Sequence, residues 1–94
     1  MTSYVKVRWR HESAEDPVLF LSELDDDRYE VRKVQAHRDG RLDWADADRE
    51  TPTIGLGELP VPDLSEINSQ EEFHAEPITA REFEAAWTHA RHAR

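Results

Sequence analysis

The chain has 94 residues, 21 Asp and Glu against 12 Lys and Arg, no Cys, and a formal net charge of −9. That length supports one domain, 1–94, with a thin core. The acidic surplus repels phosphate backbones and anionic lipid, so no nucleic acid and no membrane is expected as a partner. Disulfides and thiolate metal sites are excluded.

The first eleven residues alternate apolar and charged side chains where a signal peptide would have a continuous apolar core. No run approaches the roughly 18 apolar residues of a spanning helix. A cytoplasmic location is expected. The charge is uneven: residues 12–27 hold seven acids and no base, and residues 42–77 hold ten acids and one Arg.

Residues 3–11 read as a strand, with Val5, Val7 and Trp9 on one face and Tyr4, Lys6, Arg8 and Arg10 on the other. A polar loop ends at Pro17. Residues 18–24 are apolar on both faces, as suits a central strand covered twice. Asp25-Asp26-Asp27 then marks a turn, because Asp side chains bond their own backbone and adjacent carboxylates need water. Residues 28–37 form the third strand. Its apolar phase changes along its length, which predicts either a bulge near Arg32-Lys33 or cover on both faces. Asp39-Gly40 suits a two-residue type I′ turn, which sets His37 opposite Leu42 and Gln35 opposite Trp44. The short strand 41–46 is acidic at its end, as a blunted edge would be.

Pattern is lost over 46–62, where Ile54, Leu56, Leu59 and Val61 argue that the segment is pinned to the core. Asp63 is placed to cap a short helical turn through Leu64 and Ile67, and 73–77 is extended. Thr79 and Glu82 form a capping box, with Ile78 and Phe83 as its staple. The helix they open buries Phe83, Ala86, Trp87 and Ala90, and places Arg91, His92 and Arg94 near its C-terminal dipole. Phe83 and Trp87 are expected to meet Val5, Val7 and the central strand. The fold class is thus α+β: a four-stranded antiparallel meander with a C-terminal helix on one face and a long irregular loop.

Little in this pattern carries chemistry. The triple Asp lacks the spaced ligands and closing acid of a calcium loop. His89 and His92 are too few for zinc. Trp9 points away from its neighbouring cations, where a base-stacking platform would want them together. No serine elbow and no distinguishable acid–base couple stands out. No catalytic residue, metal or cofactor is assigned.

Six motifs together resemble a bacterial family of small domains with no established activity. They are Tyr4-Val-Lys-Val-x-Trp9, Pro17-Val-Leu19, Ser22-Glu-Leu-Asp-x-x-Arg-x-Glu-x-Arg-Lys-Val34, Asp39-Gly-Arg41, Glu66-Ile-Asn68 and Ile78-Thr-x-x-Glu-Phe-x-x-x-Trp87. The resemblance spans nearly the whole chain, and it places Glu23, Asp25, Arg28, Glu30 and Arg32 in the family's characteristic block. These five charges are the candidate interaction surface, with register-setting pairing as the plainer role. The function expected is non-catalytic binding of a basic protein, as immunity proteins do to nuclease toxins. The alternative is a small-ligand binder or minor enzyme with a pocket at His37 and Trp44, between the 46–62 loop and the sheet.

Overall fold

The computed structural model describes residues 2–92. Five strands form one antiparallel sheet: β1 Ser3–Trp9, β2 Leu19–Leu24, β3 Glu30–Ala36, β4 Leu42–Asp46 and β5 Phe73–Pro77. Two helices complete the fold, α1 Leu64–Asn68 and α2 Ala80–His92. Arg94, expected at the end of α2, lies outside the described residues.

The spatial order is β4-β3-β2-β1-β5. The fifth strand corrects the expected four. Residues 73–77 are extended as anticipated, but they also pair with β1, Trp9 facing Phe73 and Val5 facing Pro77.

The two hairpin turns share one geometry. In the first, Arg28 N–H donates to Asp25 O and Asp25 N–H to Tyr29 O; in the second, Gly40 N–H donates to His37 O and His37 N–H to Arg41 O. Each is a three-residue loop whose third residue has positive φ, 68° at Arg28 and 93° at Gly40. This is a type I turn followed by a left-handed residue. It corrects the type I′ turn expected at Asp39-Gly40, because only Gly40 of that pair has positive φ. Asp39 instead accepts the Arg41 N–H on Oδ1. The additional loop residue moves the register by one. Leu42 therefore faces Ala36, Asp43 faces Gln35, and Trp44 faces Val34.

The phase change in the third strand is a bulge: Glu23 faces Arg32 and Leu24 faces Glu30, which leaves Val31 unpaired. It falls one residue before the expected place. The strand is also covered on both faces, with Val34 and Gln35 both buried.

Helix α2 packs on the sheet face that carries Tyr4, Leu19, Leu21, Val34, Leu42 and Trp44, with Phe83, Trp87 and Ala90 from the helix buried against it. This corrects the expected contact with Val5 and Val7, which alternation places on the other face. The Tyr4 and Phe83 ring centroids are 5.4 Å apart. Lys6 stays on the helix side because Glu82 of α2 and Glu76 of β5 meet its ammonium at 3.1 and 3.3 Å. Those two hydrogen bonds, Glu82 first, raise the Lys6 pKa. Glu82 thus serves the sheet, and only half of the capping box forms: Thr79 Oγ1 accepts the Glu82 N–H at 3.1 Å. A cap of this kind contributes about 1 kcal/mol.

The opposite face has its own apolar layer. Val5, Leu24, Ala45 and Ala75 are buried in the strands, and Ile54 and Ile67 are buried in the segments that follow β4. Helix α1 packs on β5. Asn68 joins them, its side-chain amide bonding both Ala75 O and Ala75 N–H at 2.9 and 2.6 Å. Asp63 occupies the N-cap position of α1 but makes no capping bond with its side chain.

Candidate functional site

The five charges of the characteristic block divide between the two faces of the sheet. Glu23 and Arg32 lie under α2. Arg32 bonds Glu23 through Nε and Glu84 through its terminal nitrogens. Its guanidinium carbon sits 4.9 Å from the Phe83 ring centroid and 5.1 Å from that of Trp87. The Arg32 hydrogen bond holds the Glu84 carboxyl below its ordinary pKa.

Arg28 and Glu30 act on the other side and fasten the long segment. Arg28 donates to the carbonyls of Val61 and Pro62 at 2.8 and 2.7 Å. Its own carbonyl accepts the Val61 N–H. Glu30, with a side chain only 8% exposed, accepts bonds from Ser22 Oγ at 2.8 Å and the Gly57 N–H at 2.7 Å. Lys33 lies 3.4 Å away and balances its charge. Asp25 closes the first turn, Oδ1 accepting the Asp27 and Tyr29 N–H groups. These residues therefore form two internal clamps and a turn.

The pinning of 46–62 is mostly polar. Ile54 is buried, Leu56 and Val61 are partly covered, and Leu59 is 78% exposed.

His37 and Trp44, expected to share a pocket, lie on opposite faces because the three-residue turn shifts β4 by one. Trp44 packs edge-on against Trp87, with centroids 5.2 Å apart. Arg49 stacks 4.0 Å from its ring centroid. His37 instead lines a cavity of about 310 Å³ with Glu15, Asp16, Pro17, Arg41, Asp43 and Thr53. Thr53 comes from the long segment, Glu15 to Pro17 from the loop before β2, and the rest from the second hairpin.

His37 is 7% exposed. Arg41 lies 3.3 Å from its Nδ1. A guanidinium only donates, so Nδ1 accepts and Nε2 carries the ring proton. Nε2 is buried and has no hydrogen-bond partner. Asp43 Oδ2 is 3.4 Å away but makes no hydrogen bond to it. The other cavity residues escaped the sequence reading because their signal depends on the turn length, which decides whether Asp43 or Trp44 shares a face with His37.

A second, apolar cavity of about 400 Å³ lies between α2 and the sheet, lined chiefly by Leu19, Leu21, Val34, Ala36, Leu42 and Ala86. Among the described residues no three His, Asp or Glu side chains are grouped to hold a metal ion. No helix among them is long and apolar enough to cross a membrane.

These features define a small α+β domain, a five-stranded antiparallel sheet between a C-terminal helix and a clamped segment. The chain belongs to the family described as domain of unknown function (DUF6881), whose profile matches residues 3–92. No curated protein and no solved structure matches the chain.

Proposed function

We propose that the chain is a non-catalytic protein-binding domain whose acidic surface engages a basic partner, in the manner of immunity proteins that neutralise nuclease toxins. The observation that carries this reading is the way the cations are committed inward. Arg10, Arg28, Arg38 and Arg49 donate to the carbonyls of Glu71, Val61 and Pro62, His11 and Trp44, respectively. An arginine bonded to a carbonyl keeps its charge but is fixed to the fold, and among these four Arg28 also lies 4.0 Å from the Asp63 carboxylate. Lys6, Arg32 and Lys33 are held in clamps with Glu76, Glu82, Glu23, Glu84 and Glu30. Exposed carboxylates such as Glu12, Glu58, Glu66 and Glu72 have no ion pair among the described residues.

The field that results speeds encounter with a positively charged protein and disfavours acidic ones. The test is affinity capture with the full chain from its own organism at low salt. The expected result is a basic protein released as ionic strength rises and the Debye length shrinks. Recovery of no protein at high expression counts against the reading.

A further inference from the structure

We propose that Leu59, with Tyr29 and Val31 on the strand end to which it is clamped, forms the docking surface for the basic partner and seats in an apolar pocket rimmed by lysines or arginines. This surface deepens the function proposed above and depends on it. Two backbone bonds hold residues 57–63 against residues 25–31: Arg28 O accepts the Val61 N–H at 2.8 Å, and Glu30 Oε1 accepts the Gly57 N–H at 2.7 Å. Leu59 lies midway between the two anchors. Among the described residues the exposed large apolar side chains are Tyr29, Val31 and Leu59, and all three fall in these two stretches. Single apolar residues scattered over a surface are ordinary, but a group gathered at one place marks a contact.

Charge defines the partner's chemistry. The same two stretches hold six acids, Asp25, Asp26, Asp27, Glu30, Glu58 and Asp63, and one base, Arg28. Arg28 is turned to the Val61 and Pro62 carbonyls and to Asp63, and Lys33 answers Glu30 alone among the acids. An apolar knob within an acidic rim is the complement of an apolar pocket within a basic rim. The rim repels nucleic acid and anionic lipid, and a second copy of the chain would bring like charge to it. The knob is also held ready. Leu59 is 78% exposed on backbone fixed at both ends, and Pro60 and Pro62 restrict that backbone further. Such ordering before contact reduces the entropy lost on binding.

The test titrates the full chain and its variants with the captured protein, and with poly-lysine as the control for charge alone. Leu59→Ser is expected to weaken binding of the captured protein about tenfold or more, with the melting temperature and poly-lysine binding unchanged. The double variant Glu58→Gln, Asp63→Asn alters only exposed residues. It is expected to slow association and flatten its dependence on ionic strength. A benzophenone side chain placed at position 59 is expected to cross-link to the captured protein. One placed at position 88, where Thr88 is exposed on α2, is expected to give no cross-link.

A captured basic protein that binds Leu59→Ser within about twofold of the original chain, or that cross-links at position 88 and not at 59, would overturn this surface and leave the basic-partner reading standing. An equal loss of poly-lysine binding in Leu59→Ser would do the same, because the variant would then have disturbed the charge and not the contact. Failure to capture any protein removes both the reading and the surface.

Discussion

Glu30 Oε1 accepts the Gly57 N–H at 2.7 Å, joining residues 27 positions apart and tying an irregular segment to the centre of the sheet. Without that carboxylate, the Gly57 N–H and the Ser22 hydroxyl lose their common acceptor, and Lys33 loses its counter-charge. Glu30→Ala is therefore expected to cost about 1–3 kcal/mol. Denaturant unfolding measures the loss, and amide hydrogen exchange at Gly57 should accelerate more than exchange in β2. Equal acceleration at both places would mean that the carboxylate supports the whole fold instead of the segment.

Trp87→Ala tests the other face. The Trp87 ring lies against Trp44 and Phe83 and beneath Arg32, so truncation leaves a cavity and an unsupported guanidinium. The expected loss is about 3–5 kcal/mol, a large fraction of the stability of a small domain. An unchanged melting temperature would remove α2 from the core.

The two turns provide a matched comparison. A Cβ at Gly40 meets no atom within 4 Å, so the cost of Gly40→Ala is conformational alone, about 1 kcal/mol. Arg28→Gly relieves a similar strain at the first turn but removes the side-chain bonds to the Val61 and Pro62 carbonyls, leaving the Val61 N–H on the backbone carbonyl of residue 28 without that support. Its expected signature is near-neutral global stability with faster exchange at Val61. Marked stabilisation with unchanged exchange would show that those two bonds contribute nothing.

Acid should loosen the Arg32 clamp. The Arg32 hydrogen bond lowers the Glu84 pKa from its ordinary 4.5. Its contribution is thus fully present above that value and disappears as pH falls through the lower folded value. Glu84→Gln is expected to flatten the stability profile below about pH 4.5, measured by urea unfolding across that range. Parallel profiles for the two proteins would assign the acid sensitivity elsewhere.

Much of this architecture was legible in local pattern. Alternation in 3–11, the doubly apolar run 18–24 and the two turn signals located β1 to β4 to within two residues at each end, and Thr79 announced α2 because its side chain acts on the next turn. The expected features that failed all depended on distant partners or on a single residue of turn geometry. Phe73–Pro77 has little apolar character, and its pairing with β1 joins segments some seventy residues apart. Alternation in 3–11 separates Val5 from Lys6 but does not say which face the helix covers. That was decided by Glu82 and Glu76 converging on Lys6, and by the Tyr4 ring beside Phe83. The charges of the 23–32 block were visible, but not that the Val31 bulge would send Glu30 and Arg32 to opposite faces.

The strand order β4-β3-β2-β1-β5 also bears on how the chain is made. β1 leaves the ribosome first, yet one of its neighbours is the last strand to emerge. Until Phe73–Pro77 arrives, the nascent meander presents Val5, Val7 and Trp9 along an unpaired border, open to joining another chain. α2 follows immediately, so the border and the opposite face, with Tyr4, Leu21 and Val34, are covered almost together. Translation that stalls within 46–62 would release a sticky half-sheet, and a chain lacking its last twenty residues should aggregate where the full chain stays dispersed.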